Sequence, residues 1–370
     1  MKIFLVNPSE KSFLNDAGDR VPLGLGYLVS YNRAKFPQHQ FKIYDLNHTD
    51  HNVFLNEVLK EQPDYVGISA SSPTLYQAIN LNYSIKAISK NTKTIIGGCH
   101  PTVHPEATIG TFNHTIMGEG EIGLEELLRE DETGKVAYSR RIYDLDSIPF
   151  PARDLLDMSK YNMKQNGLRT ATLITSRGCV YSCNFCSNDV MGKIFRQRSP
   201  ENVAAEAKEL KEKYGYKALY FVDDNLILRL DFVNKFTPLM KQIGLPYRIT
   251  ARADAITDDK VKQLKDSGCN IISFGVETGN QNQLNICNKK ETLEEMLNAA
   301  EICRNNNMDF KTFWIVGLPG ETPDTIKNTL EFAKKVNSTT SDFYLLVPFP
   351  GCEFHKNPAK YGITIKGENY

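Results

Sequence analysis

Neither charge is in excess in this 370-residue sequence: 44 Lys and Arg face 44 Asp and Glu, a formal net charge of +0. Without a basic surplus there is no electrostatic footprint for nucleic acid, and none is expected as a partner. Long hydrophobic runs are missing too. The opening "MKIFLVNPSE" holds only a short apolar run, too short for a secretory signal and suited to a first β-strand. No stretch reaches the roughly 20 apolar residues of a membrane helix. The expectation is a cytoplasmic protein with no membrane span. Cysteine is scarce at eight residues. In a reducing compartment any cluster of them reads as a metal or catalytic site rather than as disulfides. What remains is ordinary: 41% hydrophobic and 24% charged residues can bury a full core, and the length suits two domains.

The first 130 residues alternate strand-like and helical patterns. "KIFLVNP", "FKIYDLN", "YVGISA", "KTIIGG" and "HTIMGEG" are short runs rich in β-branched and aromatic residues, with helical stretches such as Leu75 to Ser89 between them. This predicts an α/β, flavodoxin-like (Rossmann-type) domain with an open parallel sheet. "NPSE", "SASSPT", "GGCHPT" and "GEGE" follow four of these strands. Turns need such small residues anyway. Four on one carboxyl edge nevertheless favour a large ligand lying across it.

Residues 131–168 lose the rhythm, and "DLDSIPFPARDLLD" carries two prolines, as a linker would. From there "ATLITSRG", "ALYFVDDN", "YRITARAD", "IISFGVE", "FKTFWIVG" and "DFYLLVP" predict six β/α units, a partial (β/α)6 TIM barrel with its site at the strand ends. Ser199 as N-cap and Pro200 at the first helical position open a helix that closes near Gly215. The expected layout is a domain over 1–130, a linker over 131–168, a barrel over 169–355 and a short tail over 356–370.

Three of the eight cysteines crowd into "SRGCVYSCNFC", as Cys179-x3-Cys183-x2-Cys186. Zinc sites use two separated pairs, and no second pair exists here. Ferredoxin cubanes use four cysteines at other spacings. A [4Fe–4S] cluster held by three thiolates leaves one iron open to the amine and carboxylate of a small molecule.

This loop, with Phe185 before its last cysteine and a barrel strand before its first, resembles the hallmark of the radical SAM superfamily. The resemblance implies a [4Fe–4S] cluster on Cys179, Cys183 and Cys186, with S-adenosylmethionine (SAM) on the open iron. It extends along the barrel. "FVDDN" stands at the family's motif for the methionine amino group, which makes Asp223, Asp224 and Asn225 candidates. Asp-Asp replaces the more usual Gly-Gly-Glu. Arg252 in "TARAD" is placed to hold the methionine carboxylate, Glu277 in "FGVETGN" the ribose hydroxyls. Val316 and Gly317 in "WIVGLPGET", and Pro348 in "VPFPG", fall where the family backs the adenine. Arg196 and Arg198 read either as a basic surface or as a site for an anion or a linker carboxylate such as Asp154. Cys269, Cys287, Cys303 and Cys352 read as buried thiols.

The amino-terminal half is similar to the cobalamin-binding class of this superfamily. The matching pieces are "VNPSE", "VPLGLGYL", "SASSPT", "GGCHPTVHPE", "GEGEIGLEEL" and the linker "IPFPARDLLD". They make Asn7, Leu23, Gly24, Ser69, Ser71, Thr74, Gly97, Gly98, His100, Gly118, Glu119 and Gly120 candidate cobalamin contacts. Glycines allow close backbone approach to the corrin, and hydroxyls suit its amides and phosphate. Cobalamin mutases carry Asp-x-His-x-x-Gly; here "DLNHTDHN" spaces Asp45 and His48 one residue too far, and no Gly follows. His48 and His51 therefore read as loop histidines, and no histidine is expected below cobalt. Methylthiotransferases need three cysteines in this half, which holds only Cys99.

The resemblance implies an enzyme that methylates an unactivated carbon of a small-molecule, lipid or peptide substrate by way of methylcobalamin. Its electron donor would be a reductase, flavodoxin or ferredoxin, and the barrel mouth would face the cobalamin edge. A radical cyclase or rearranging enzyme is the alternative, and an iron–sulfur electron carrier is a further one. Many members of the resembled family carry a longer C-terminal region; here nineteen residues follow Gly351, so either a small substrate, a partner surface or another subunit closes the barrel, or that extension was lost, or the chain is truncated.

Overall fold

Runs of Val, Ile, Phe and Tyr fall at strand spacing and amphipathic stretches at helical spacing, and the structure follows that alternation. The computed structural model describes residues 1–11, 20–130, 136–187 and 189–367. The chain forms two units, Met1–Met163 with Asp189–Met191, and Lys164–Asn188 with Gly192–Glu368.

The first unit runs β1 (Lys2–Asn7), α1 (Leu23–Lys35), β2 (Gln40–Asp45), α2 (His51–Glu61), β3 (Tyr65–Ser69), α3 (Leu75–Ile88), β4 (Lys93–Gly97), α4 (Cys99–Val103), β5 (His114–Met117), α5 (Glu121–Glu130) and β6 (Val136–Tyr138). All neighbours pair parallel in the order β2-β1-β3-β4-β5-β6. The five expected strands have the flavodoxin-like order, with the chain reversing direction across the sheet at β1 and β3. β6, from the segment read as linker, adds a sixth strand at the edge. Side chains alternate between faces as a strand's two-residue period demands. Ile3 and Leu5 of β1 pack on one side with Val29, Ile43 and Leu124. Phe4 and Val6 pack on the other with Phe54, Val66 and Leu81.

The proline segment is built into this unit. The Ala152 N–H donates to the Gly26 carbonyl at 3.0 Å, and a Cβ on Gly26 would lie 2.8 Å from that of Pro151. Gly26 is therefore the point where α1 lets that segment approach. Asp154 pairs with Arg33 of α1 at 2.6 Å.

The second unit runs β7 (Lys164–Gln165), β8 (Leu168–Leu173), β9 (Ser176–Arg177), β10 (Arg196–Gln197), α6 (Pro200–Glu212), β11 (Ala218–Phe221), α7 (Leu230–Ile243), β12 (Tyr247–Ala251), α8 (Asp258–Asp266), β13 (Cys269–Glu277), α9 (Gln281–Ile286), α10 (Leu293–Asn305), β14 (Asp309–Val316), α11 (Pro323–Val336), β15 (Thr340–Leu345) and α12 (Glu353–Lys356). Its main sheet has the order β15-β14-β13-β12-β11-β8-β7. The first six of these are the expected strands, all parallel, and they make a curled half-barrel; β7 caps one edge antiparallel. Leu173, Phe221, Ile249, Phe274 and Trp314 are buried along successive strands. α6 opens as expected, with Ser199 Oγ accepting the Asn202 N–H at 3.1 Å and Pro200 in the first turn. Among the described residues no helix is long and apolar enough to cross a membrane.

Candidate functional site

In the second unit the site starts from the loop after β8. β9 and β10 pair antiparallel, so the chain leaves and re-enters this loop at one neck. Gly178 sits just inside the neck at φ +85. A Cβ there would collide with the Ile194 carbonyl and lie 3.0 Å from that of Gly192, so only glycine closes it. Asn184 fastens the far side. Its N–H donates to Cys287 O at 2.8 Å and its Nδ2 to Ile286 O at 2.7 Å. Its own carbonyl accepts from Phe354 N–H at 3.0 Å. Asn288 Nδ2 adds a bond to Ser182 O at 2.7 Å, and Ser187 Oγ one to Pro350 O at 2.7 Å. Phe185 packs against Cys287, Leu318, Cys352 and Phe354.

Burial raises the Cys179, Cys183 and Cys186 thiols, Cys186 to about 12. Cys179 also raises Cys183, both raise Cys186, and Asp224 adds to this at Cys179 and Cys186. Among the described residues no three His, Cys, Asp or Glu side chains converge where a single ion would sit. Thiols that feel one another without meeting at a point fit the separate corners of a polynuclear iron cluster. As thiolates they would repel, and a cationic metal core is the charge that relieves this.

The "FVDDN" triplet divides its labour. Asp223 is buried and turned back toward β8 and β9: it accepts Thr175 N–H at 2.8 Å, Thr175 Oγ1 at 2.9 Å and Ser176 Oγ at 2.5 Å. Burial nonetheless pushes its carboxyl up to about 6. Asp224 is the residue whose charge reaches the thiols; surrounding protein raises it too. Asn225 is 2% exposed, yet neither its Oδ1 nor its Nδ2 has a hydrogen-bond partner. A buried primary amide left bare costs free energy until something polar binds it. An amine or a carboxylate would meet that need.

The ends of β12 and β13 carry a buried charge network. The Arg252 guanidinium stacks 3.5 Å from the Tyr181 ring centre. Its Nε reaches Asp254 at 3.1 Å, and its Nη2 reaches Asp254 at 3.0 Å, the Lys289 carbonyl at 3.0 Å and Glu291 at 3.2 Å. Its Nη1 faces Cys183 Sγ at 4.0 Å. Glu277 accepts from Lys289 Nζ at 2.8 Å. It stands at φ +69, and its side chain folds over Gly275, where no Cβ would fit. Burial works against the Lys289 charge, but Glu277 and Glu291 outweigh it and hold the ammonium above its usual value. Arg252 and Glu277 thus lie together beneath the cysteine loop, both already paired.

At β14, the Gly317 N–H donates to Glu321 at 2.7 Å with Gly317 at φ +92, and Val316 O accepts from Leu346 N–H at 2.8 Å. The second bond joins Val316 to the strand-end segment that leads to Pro348. Arg198 is no surface cation: it is buried, with Nη1 on Glu206 at 2.5 Å and on Ile174 O at 2.7 Å. Arg196 is buried as well, and so are Cys269, Cys287, Cys303 and Cys352.

In the first unit the predicted residues lie along the carboxyl ends of β1, β3, β4 and β5. Gly98, at φ +104, could not carry a Cβ without approaching Ala70 O to 2.8 Å. Thr102 Oγ1 donates to Gly98 O at 2.7 Å and accepts Gly118 N–H at 2.9 Å, joining the loops of Gly97 and Gly118. Gly24 is open, with nothing within 4 Å of a Cβ there, and Gly120 takes φ +80 against Leu28. Leu23, Ser69, Ser71 and Glu119 are half-buried on the same edge. A glycine-lined rim open at Gly24 fits a broad, amide-rich disc. Three candidates are engaged otherwise. Asn7 Nδ2 donates to Asp45 at 3.1 Å, Thr74 Oγ1 accepts Ser71 N–H at 2.9 Å, and His100 Nδ1 lies 2.9 Å from Ser72 Oγ. Asp45 is a buried hub that also takes Tyr161 Oη at 3.1 Å, and His48 stands edge-on to that ring.

Comparison with known proteins agrees with this geometry. A model of the radical SAM superfamily matches residues 173–333, and one of the B12 binding domain matches residues 13–128. An uncharacterized methyltransferase of Pyrococcus horikoshii is 31% identical, over 95% of this chain and 82% of its own. The cytidylyl-2-hydroxyethylphosphonate methyltransferase of Streptomyces wedmorensis is 26% identical over 100% and 83%. The anaerobic magnesium-protoporphyrin IX monomethyl ester cyclase of Rubrivivax gelatinosus is 25% identical over 95% and 68%. Among solved structures, the radical S-adenosylmethionine methyltransferase TsrM of Kitasatospora setae, with cobalamin and a [4Fe–4S] cluster bound, shares the fold at a TM-score of 0.75 and 18% identity, over 95% of this chain and 76% of that one. With both family models matched in order and a 31% identical relative aligned over most of both chains, this chain belongs to the cobalamin-binding class of the radical SAM superfamily.

Proposed function

We propose that this chain methylates an unactivated carbon of a small-molecule, lipid or peptide substrate, with SAM as methyl source and cobalamin as methyl carrier. The observation that carries the SAM site is the bare, buried amide of Asn225, next in sequence to Asp224, whose charge reaches Cys179 and Cys186. The methyltransferase names of two relatives support the reaction type. When bound, the cluster supplies the electron that generates a radical from SAM, and cobalamin supplies the methyl group.

The chain's own residues hold and orient these groups. Cys179, Cys183 and Cys186 ligate the cluster, with Phe185 backing the loop. Asp224 and Asn225 receive the methionine amino group, and Asp223 anchors their turn to β9. Glu277 meets the ribose from its Lys289 pair, while Val316, Gly317 and Pro348 line the adenine. In the first unit Leu23, Gly24, Ser69, Ser71, Gly97, Gly98, Gly118, Glu119 and Gly120 form the cobalamin rim. Asn7, Thr74 and His100 brace it from behind. The electron comes from a reductase, flavodoxin or ferredoxin.

The test is product analysis under anaerobic, reducing conditions. S-adenosylhomocysteine and 5′-deoxyadenosine in equal amounts support methylation. Deoxyadenosine without S-adenosylhomocysteine release favours ring formation or rearrangement, a reading to which the cyclase relative lends weight. Formation of neither product by protein shown to carry its cluster would refute the proposal.

A further inference from the structure

Arg252 was expected to hold the methionine carboxylate. Its surroundings point elsewhere. A guanidinium recognises a carboxylate best through a free fork of two parallel N–H groups. Here the Nε and Nη2 side of the fork is taken by Asp254, at 3.1 and 3.0 Å, with Glu291 at 3.2 Å and the Lys289 carbonyl at 3.0 Å behind it. One face is covered by the Tyr181 ring at 3.5 Å, and Arg252 as a whole is 6% exposed. What remains is Nη1, and it points at Cys183 Sγ, 4.0 Å away. Tyr181 lies within the cysteine loop, between Cys179 and Cys183. The cation is therefore clamped from both sides against one ligand of the loop.

We infer that Arg252 is a positioning residue for the cluster: it presents Nη1 to the Cys183 sulfur and sets the ease of cluster reduction, leaving the methionine carboxylate to another group. This rests on the reading that the three cysteines hold an iron–sulfur cluster. Potentials of such clusters respond to net charge and to hydrogen bonds on their sulfurs. Reduction adds negative charge, so a donor cation at the thiolate favours the reduced state. Losing it also strips Asp254 and Glu291 of their counter-charge, which acts in the same direction. At a poise where the wild-type cluster is half reduced, Arg252→Gln should show a reduced-to-oxidised ratio lower by roughly tenfold, or 59 mV for a one-electron couple.

The test is an anaerobic redox titration of reconstituted full-length protein without SAM, with dithionite and mediator dyes, followed by electron paramagnetic resonance of the reduced cluster. SAM binding to the oxidised protein is measured in parallel by equilibrium dialysis. The inference expects a lowered potential in Arg252→Gln, near-normal SAM affinity, and recovery of most of the shift in Arg252→Lys. An unchanged potential overturns it, as does an unchanged potential with SAM binding lost, which would return Arg252 to the carboxylate. If Arg252→Gln takes up no cluster, Tyr181→Leu carries the test. It frees the guanidinium from its clamp, a smaller shift of the same sign is required, and no shift refutes the idea. Failure of the wild-type protein to assemble any cluster would instead sink the cofactor reading beneath it.

Discussion

Replacing Asp223 by Asn should reshape how stability depends on pH. Asp223 is buried and accepts hydrogen bonds from Thr175 and Ser176, which favour its charged form. Burial is the larger effect and lifts the carboxyl from an ordinary 3.8 to about 6. The folded value lies above the unfolded one, so the folded chain holds this proton more tightly. The stability it contributes is complete below about pH 3.8 and is lost as pH rises through about 6. The displacement corresponds to about 3 kcal/mol. Asn keeps the size and one acceptor oxygen but does not titrate. The difference in unfolding free energy, wild type minus Asp223→Asn, should therefore fall by about 2 kcal/mol between pH 4 and pH 7, the rest of the displacement lying below pH 4. Urea unfolding at a series of pH values, without cluster, measures it. The lone Trp, Trp314, is buried in the same unit and supplies the fluorescence signal. Carboxylates common to both proteins cancel in the difference. A flat difference refutes the reasoning. A rising one would show that the Thr175 and Ser176 donors outweigh burial.

Three further outcomes are expected. Asn225→Leu removes a buried amide that has no partner, so it should stabilise the unliganded chain by about 1–3 kcal/mol while weakening SAM binding; thermal unfolding and dialysis read the two opposite signs, and parallel losses would contradict the assignment. Gly178→Ala forces a side chain into φ +85 against Ile194, which should cost about 1–3 kcal/mol and lower the iron taken up per chain on reconstitution; unchanged iron would mean that the neck does not shape the loop. Gly98→Ala, at φ +104 and 2.8 Å from Ala70 O, should weaken cobalamin binding in a spectral titration while leaving iron uptake intact; normal cobalamin affinity would remove Gly98 from the rim.

How much of this was legible depends on how each residue acts. The eleven strands with clear apolar runs, and the helix opened by Ser199 and Pro200, announce themselves because burial enforces period 2 or a cap. β6 and β7 do not, since three and two residues are too few to show a period. The cysteines are visible because their spacing is itself the chemistry. "VDDN" located the right turn but not the division of labour within it: only the three-dimensional path of β9 reveals that Asp223 faces inward. Lys289 and Glu291 lie in "CNKKETLEE", which reads as any solvated helix approach, and nothing local marks two of its charges as buried. Asn184 and Thr102 were hidden for a similar reason. Each works by joining segments far apart in sequence, Asn184 to residues 286, 287 and 354, Thr102 to 98 and 118.

The β9–β10 neck bears on the order in which the protein is made. A loop closed at its base and fastened through Asn184 keeps its entry and exit fixed before any iron arrives. The cost of ordering that backbone is met during folding, so little of it falls on metal binding. Folding and metallation then become separable events. A chain that loses its cluster to oxygen keeps the cage in which to rebuild it, and reconstitution of purified, folded protein is the expected behaviour rather than a rescue from the unfolded state.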